Sequence, residues 1–588
     1  MRRDPQRPSW LETWGLAVVA GLLLVLVFLV WGAGSLGDLV AGHPVETNPF
    51  AYVLGLVAGS RAWSGWPATL VLVLVAGLAG GLALLLWRRL RRRGGPTQRR
   101  IDRAARLLAH PRELGPLSPA GVAASAARLR PRSTIDPHDP AQHGRLRGRT
   151  VVGNMPVRSS WEDTEAHIWG PRRGKTTSQV IPDIVDAPGP VLTTSNKRDV
   201  VDATRGVRER AGTTWVFDPQ QVAGESPTWW YNPLSRVIDI ESAQILAGHF
   251  VAGTRDPNAR TDSYFDGSAE SLLAAYFLAA ALGRFTLADV YEWLVNARDI
   301  TPRETLADHG ERLVAGDVQS VQEAPDKQRS GVYDTAKALL RCLRSRQVLE
   351  WVTPPGRPRP EFRPDDFVTS TDTLYLLSME GPGAAAPLVS ALADHVCTAA
   401  VTHAATMPLG RLDPPMVVQL DEAANICRWR ELPNLYSHFG SRGVVVSTIL
   451  QSWSQGVEVW GEGGMRKLWS AANVRTYGGG VAETAFLREL SELAGDHDRQ
   501  VYSTTYDSGG RRSRSANSRT ERILTVDLLA AMPAGRALVI ASGAPACLVR
   551  TIPWMDGPHA EAIRTSLATY DPGARAQQQA PILAKPSS

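Results

Sequence analysis

Two long apolar runs stand near the amino end. From Trp14 to Ala33 the chain reads WGLAVVAGLLLVLVFLVWGA without a charge, and from Pro67 to Trp87 it reads PATLVLVLVAGLAGGLALLLW. Each is about 20 residues, the length a helix needs to cross roughly 30 Å of hydrocarbon. Neither has a polar face, which argues against a buried hairpin, and the first lacks a convincing small-residue cleavage site for a signal peptide. Arg2, Arg3 and Arg7 precede the first run and RRLRRR at 88–93 follows the second, while Asp38, Glu46 and only Arg61 lie between. The positive-inside rule then predicts both ends in the cytoplasm and a loop of about 30 residues outside.

The segment from 94 to about 149, rich in Pro, Arg and Ala, reads as a linker with one or two short helices. Beyond it the pattern changes to short apolar runs between helical stretches. AHIW before Gly170, PVLTTS at Pro190, TTWVFD at Thr213, TLYLLS at Thr373, PMVVQLDE at Pro415, VVVSTILQS at Val444 and RALVIASG at Arg536 are candidate buried strands. Such β-branched runs between helices predict an α/β domain with a mostly parallel sheet, which binds ligands at the carboxyl ends of its strands. From about Ile240 to Glu350 the pattern is helical, and SAESLLAAYFLAAAL at Ser268 is apolar enough to be that segment's core. RRSRSANSRTER at Arg511 reads as a mobile basic arm, and the stretch after Tyr570 as a disordered tail.

At 588 residues the chain is long enough for two to four domains, and 44% hydrophobic content supports a folded protein. The formal charge of +6 is modest. Its arginine clusters suit nucleic acid or anionic lipid without selecting either. Four scattered cysteines with no C-x-x-C pair argue against a disulfide framework or zinc site and fit a reducing compartment.

The candidate chemistry begins at HIWGPRRGKTTSQVIP. A phosphate-binding loop has the spacing G-x-x-x-x-G-K-[ST]; here Gly170 and Gly174 enclose only Pro171, Arg172 and Arg173. Lys175 would reach terminal phosphates and Thr176 would hold Mg²⁺, with Gly170, Arg173, Gly174 and Thr177 completing the loop. Downstream, PPMVVQLDEAAN ends a strand in two acids. Asp421 suits the Mg²⁺ shell, through water, and Glu422 can orient or deprotonate an attacking water. Gln451, at the end of the next strand, can contact a terminal phosphate or that water. Arg442, in HFGSRG before that strand, is a candidate arginine finger expected near the sheet's ligand edge. Together these predict an ATP hydrolase using Mg²⁺.

With these pieces in order the chain resembles the type IV secretion coupling proteins, the TraG/TraD-like conjugative DNA-transfer ATPases. SNKRD around Lys197, WVFDPQ…WWYNPLS from Trp215, KQRSGVYDTAKALL from Lys327, QLDEAANI…RGVVVSTILQSWSQGVEVWG and RILTVDLLAAMPAGRALVIASGAP all match segments of that family. One of them is similar to its TraM-recognition region. The likeness runs roughly from Asp163 to Met555. Departures are the shortened loop, Arg173 where Ser or Thr is usual, Ser195 for an Asp, and Gly440 for the first arginine of an R-S-R-G pattern.

The resemblance implies a RecA-like P-loop NTPase motor with a helical insert and an N-terminal two-helix transmembrane anchor. The expected boundaries are an anchor at 1–93, a cytoplasmic linker at 94–150, a motor at 151–239 and 351–555, an insert at 240–350 and a flexible tail at 556–588. It implies ATP and Mg²⁺ as cofactors, and as partners single-stranded DNA with attached relaxase, type IV secretion channel components and the membrane. It also implies a homo-hexamer at the bacterial inner membrane, with both termini and the ATPase domain cytoplasmic. A catalytically silent adaptor that docks cargo, and an FtsK-like DNA translocase, are the alternatives.

Overall fold

The computed structural model describes residues 10–63, 65–91, 96–254, 263–381, 384–506 and 512–573. Side chains of 501–506 and 512–517, and many of those in the helices Trp10–Ala41 and Gly65–Arg91, lie outside that description. The chain forms two compact units, Met1–Arg99 and Arg100–Ser588.

In the first unit the helices Trp10–Ala41 and Gly65–Arg91 contain the two apolar runs. The expected spans at 14–33 and 67–87 fall in part on side chains outside the described residues, and among the described residues no helix is long and apolar enough to cross a membrane. Between them the helix Pro49–Val57 starts where the Asn48 side chain accepts from the Phe50 and Ala51 amides, with proline at the first position. The three charges of this connection are paired with one another. Arg61 meets Asp38 at 2.8 Å and Glu46 at 3.7 Å, and its guanidinium lies 4.5 Å from the centre of the Tyr52 ring.

The second unit is built on one sheet. Its strands in chain order are β1 (Arg145–Thr150), β2 (Pro156–Ser159), β3 (Glu165–Ile168), β4 (Val191–Ser195), β5 (Thr214–Phe217), β6 (Thr373–Leu377), β7 (Met416–Leu420), β8 (Val444–Leu450) and β9 (Val474–Tyr477). A separate hairpin, β10 (Asp496–Tyr506) and β11 (Arg512–Arg522), precedes β12 (Arg536–Ala541) and β13 (Ala544–Arg550). The eleven-stranded order is β2-β1-β13-β12-β9-β3-β8-β7-β4-β6-β5. From β9 to β5 every pairing is parallel, and from β9 through β12, β13 and β1 to β2 every pairing is antiparallel. β7 and β8 are buried along their whole length, as a strand covered on both faces requires.

Three sequence expectations change here. The sheet starts at Arg145, inside the segment read as linker, because β1 ladders onto β13 through Arg149↔Arg550 and Thr150↔Val549. The basic stretch after Arg511 is a strand, not a mobile arm. β11 pairs with β10 from Arg512↔Tyr506 to Arg522↔Asp496, and the base is pinned by Arg522–Asp496 at 3.0 Å and Arg499–Glu521 at 3.4 Å. The expected tail contains the helix Ala560–Tyr570, which packs on the helix Asp199–Arg208. There the Gly206 amide donates to Ser566 Oγ (2.9 Å), that hydroxyl donates to the Asp202 carbonyl (2.6 Å), and Ile563 is buried against Ile181 and Ala203. Residues 574–588 lie outside the described residues.

Between β5 and β6 the described chain is helical from Ile240 to Val352. In its longest helix, Ser263–Gly283, Leu272 through Ala280 are buried, and Tyr276 and Tyr333 share a hydroxyl–hydroxyl bond of 2.7 Å. The way in and the way out are joined by aromatic packing. Trp229 meets Trp215 and Trp351 edge-on at 5.5 and 5.4 Å, and the Tyr231 amide donates to the Trp351 carbonyl. His249 of the first insert helix pairs with Asp394 at 3.0 Å, tying the helices to Ala386–Thr406 behind the sheet.

Candidate nucleotide-binding site

β3 delivers the glycine loop. It lies between β8 and β9, second from the end of the parallel block, with its carboxyl end level with those of β8 and β9. The first half of the loop is stitched to the turn after β9: the Gly170 amide donates to the Gly479 carbonyl (2.9 Å), and a Cβ on Gly170 would overlap the Gly480 backbone. The Trp169 indole donates to the Arg173 carbonyl (3.2 Å). Arg172 and Gly174 both have left-handed backbone, φ 57° and 85°.

The missing loop residue has a counterpart in the helix that follows. Thr176–Val180 forms a π turn, in which the Ile181 amide reaches back to the Thr176 carbonyl. A π turn holds one residue more than an α turn, and such turns are frequent at functional sites. One residue fewer before Lys175 is thus matched by one more after it, and the chain rejoins regular helix at Ile181–Val185.

β7 delivers the acids. The Thr194 hydroxyl on β4 donates to the Asp421 carbonyl at 2.7 Å, fixing the strand's end. Glu422 follows in left-handed conformation, φ 54° and ψ 38°, which costs a non-glycine residue about 1–2 kcal/mol. That bend turns its carboxylate toward the loop. Lys175 Nζ is paired with Glu422 Oε1 and lies 2.9 Å from Asp421 Oδ1. Thr176 Oγ1 is 3.4 Å from Asp421 Oδ2, and Gln451 Nε2, just past β8, donates to Glu422 Oε2 at 2.7 Å. Lys175, Thr176, Asp421, Glu422 and Gln451 therefore meet at the carboxyl ends of β3, β7 and β8.

The electrostatics follow from burial. Burial alone would lower the Lys175 ammonium, but Asp421 and Glu422 outweigh it and hold it above its ordinary value. Burial raises the Asp421 carboxyl above the usual carboxylate range, against the pull of Lys175. The Thr176 hydroxyl and the Asp421 carboxylate form a hard-oxygen pair that fits Mg²⁺, which is bound through one or two carboxylates together with substrate phosphates. Among the described residues no group of three or more His, Cys, Asp or Glu could hold a metal by itself, so phosphate oxygens would have to complete the shell.

Other expected residues sit differently. Gly174 and Thr177 are in the loop, with the Thr177 hydroxyl on the Gly174 carbonyl (3.1 Å). Arg173 is in the loop too, but its guanidinium donates to the Met532 carbonyl at 3.0 Å and lies against Gly480. Lys197 is exposed after β4, its amide on Ser195 Oγ. Arg442 is not at the ligand edge. It precedes β8 whereas Gln451 follows it, so at about 3.3 Å per residue roughly 23 Å of strand separates the two ends. Its guanidinium donates to the Gly410 carbonyl (3.0 Å) at the opposite end of the sheet. Asn425, which donates to Glu422 Oε2 at 3.3 Å, and the turn Gly478–Gly480 escaped the sequence reading, although three successive glycines after a strand were a signal.

Residues 415–534 match the family model described as the TraM recognition site of TraD and TraG. A search of curated protein sequences finds no match. Among solved structures, the unbound monoclinic form of the bacterial conjugative coupling protein TrwBdeltaN70 aligns at TM-score 0.50 and 17% identity, covering 70% of this chain and 90% of its own. TrwB in complex with ADP and Mg²⁺ aligns at 0.47 and 16%, covering 69% and 89%. VirB4 of Thermoanaerobacter pseudethanolicus aligns at 0.39 and 13%, covering 73% and 100%. The first of these likenesses shows a shared fold. The matched region, 415–534, holds Asp421, Glu422 and Gln451 in one continuous stretch, so the acid-bearing strand end and the glutamine lie in the part of the chain that resembles the TraM recognition site of TraD and TraG.

Proposed function

We propose that the chain is a membrane-anchored ATPase that couples DNA, single-stranded and attached to relaxase, to a type IV secretion channel. The observation that carries this reading is the convergence of Lys175, Asp421, Glu422 and Gln451 at the ends of three neighbouring parallel strands. Lys175 would leave its acids to meet the terminal phosphates of ATP. Thr176 and Asp421 would hold Mg²⁺, which supplies positive charge to the phosphate oxygens. Glu422, released from Lys175, would orient and deprotonate the attacking water, and Gln451 would keep its carboxylate aimed. Thr177, Gly170 and Gly174 shape the loop, and Arg173 braces it against Met532.

The motor in this reading takes in the strand group from Arg145 and the helix ending at Tyr570, with the helices between β5 and β6 as its insert. The runs at 14–33 and 67–87 anchor it in the bacterial inner membrane with the motor and both termini in the cytoplasm, because arginine flanks both runs on that side. A homo-hexameric ring would let the strand pass through. The test is ATP hydrolysis by the full-length protein in detergent, with and without single-stranded DNA. Turnover that DNA stimulates and Lys175→Ala removes is the expected result, and a wild-type protein that binds cargo without turnover would make it a silent adaptor.

A further inference from the structure

Two arginines and two acids lie wholly inside the motor core. Arg145, Arg147 and Glu165 have no exposed surface and Asp183 has 2%. Charged side chains are almost never buried this completely unless paired. Arg145 Nη2 lies 2.9 Å from Glu165 Oε1, and Arg147 Nη1 lies 3.1 Å from Glu165 Oε2. Arg147 is also paired with Asp183 and donates to Gln179 Oε1 at 2.5 Å. Arg145 donates to Ser447 Oγ at 2.6 Å, and Gln419 Nε2 donates to Asp183 Oδ2 at 2.8 Å with Ser447 Oγ 3.4 Å away.

The elements these residues come from give the cluster its meaning. Gln179 lies in the π turn that begins at Thr176, and Asp183 in the helix that continues it. Gln419 is two residues ahead of Asp421 on β7, and Ser447 four ahead of Gln451 on β8. Glu165 opens β3, which ends at the glycine loop. Every strand and helix that carries a proposed catalytic or phosphate-binding group therefore has a side chain in this one cluster.

The arginines come from outside the parallel block. β1 stands four places from β3 in the sheet order, so the sheet must curl for its side chains to reach Glu165. β1 ladders to β13 and β13 to β12, whose Arg536 grips Asp102 with two bonds of 2.8 and 3.0 Å. Asp102 belongs to the helix Pro96–Ala104, next in sequence after the arginine run at 88–93. Buried ion pairs are weak sources of stability compared with apolar packing of the same volume, and their best-attested use is to fix one arrangement among several. In a low-dielectric core each bond of such a network is costly to lose, and among the described residues Arg145 Nε, Arg147 Nε and Gln419 Oε1 already have no hydrogen-bond partner, so the cluster has none to spare.

We propose that Gln419, Asp183 and Arg147 are positioning residues that set the phosphate-loop helix against the acid-bearing strand and tie both to the antiparallel strands following the linker. The inference rests on the ATPase reading above. Gln419 is the member to test, because Gln419→Met keeps the side chain's length, leaves all four charges in place and removes only the bridge from the loop helix to β7 and β8.

In full-length protein, Gln419→Met should fold with a modestly lowered melting temperature, since Asp183 loses a buried donor, while amide hydrogen exchange over 174–178 accelerates about tenfold relative to β6. ATP turnover should drop about tenfold in kcat with little change in KM, as expected when groups are held but misaligned. Should Gln419→Met fail to fold, Gln419→Asn keeps the amide but draws it one methylene back from Asp183, weakening the same bridge, and is read the same way. Unchanged exchange over 174–178 together with unchanged kcat in a folded variant overturns the proposal. If the wild type does not hydrolyse ATP, the ATPase reading fails and the exchange measurement alone decides whether the cluster positions the loop. If the wild type is active, Lys175→Ala is dead and Gln419→Met is normal in both readouts, the positioning role alone is lost.

Discussion

Lys175 and Glu422 are paired directly, ammonium to carboxylate, across the gap between the glycine loop and the end of β7. Asp421 shares the same ammonium at 2.9 Å, so the lysine that should meet phosphate is held by both acids. Phosphate and acid compete for one cation. In the proposed ATPase, a phosphate that took Lys175 would free a carboxylate for chemistry, linking substrate arrival to release of the base.

That competition separates two variants. Glu422→Gln leaves Asp421 for the metal shell and weakens the hold on Lys175, so ATP should bind at least as tightly as in the wild type. Turnover should fall roughly 10²- to 10⁴-fold, the usual contribution of a general base. Lys175→Ala should instead weaken ATP binding by about 2 kcal/mol, the worth of a charged hydrogen bond. Equilibrium binding of a fluorescent ATP analogue, set beside phosphate release, distinguishes the two. Loss of binding in Glu422→Gln would make Glu422 a metal ligand or a structural group.

Arg442 was expected to reach a neighbouring subunit's nucleotide from the ligand edge, and its place at the amino end of β8 argues otherwise. Its guanidinium holds the Gly410 carbonyl, a charged, half-buried bond worth about 1.5–3 kcal/mol. Arg442→Ala should therefore lower the melting temperature modestly and leave turnover close to wild type. Removal of an arginine finger costs roughly 10³ to 10⁵ in rate. A rate loss of that size in a folded, assembled Arg442→Ala protein would restore the finger.

What the sequence disclosed divides along local and non-local lines. Runs such as VVQL before Asp421 and VVVSTIL before Gln451 announce buried strands because all but Gln419 and Ser447 are apolar or β-branched, and the acids and glutamine follow at fixed offsets. β1 reads RLRGRT and passes for linker, because Arg145 and Arg147 become interior residues only when Glu165 and Asp183 arrive from elsewhere in the chain. Arg442 was misplaced for a related reason. It is near Gln451 in sequence, but an intervening strand puts the two at opposite ends of the sheet. The π turn after Lys175 is equally silent in sequence, since it answers a deletion on the other side of the lysine.

Acid sensitivity should come in part from His395. It lies on the helix Ala386–Thr406, where its Nδ1 shares a hydrogen bond of 2.9 Å with the Tyr231 hydroxyl. Burial, helped by the Arg236 guanidinium and opposed by Asp394, lowers the imidazole to about 4. An unfolded chain takes up that proton near pH 6.5, so between there and pH 4 it binds a proton the native state refuses. The stability this neutral histidine contributes is present above pH 6.5 and lost as the pH falls toward 4. Melting temperatures of wild type and His395→Gln, measured from pH 8 to pH 4.5, should converge on the acid side. A gap independent of pH would show that His395 does not titrate in this window.

The turn after β9 offers the last test, because it supports the shortened loop from beneath. A Cβ on Gly478 would overlap the Trp169 indole, and Trp169 has no exposed surface into which to retreat. That ring also donates to the Arg173 carbonyl, so displacing it moves the loop's backbone. Gly478→Ala should cost about 1–3 kcal/mol of stability, the usual penalty of overpacking, and should weaken ATP binding as well. Gly316, in the helix Arg312–Glu323 with open space around it, is the matched control, and Gly316→Ala should stabilise by about 0.5–1 kcal/mol without touching ATP binding. Trp169→Ala removes Cδ2, Cε2 and Nε1, the atoms a Gly478 Cβ would meet, so the added cost of Gly478→Ala should be milder in that background. If ATP affinity survives Gly478→Ala while stability falls, the glycine turn braces the fold alone, and the loop holds its shape through Lys175 and the helix beyond it.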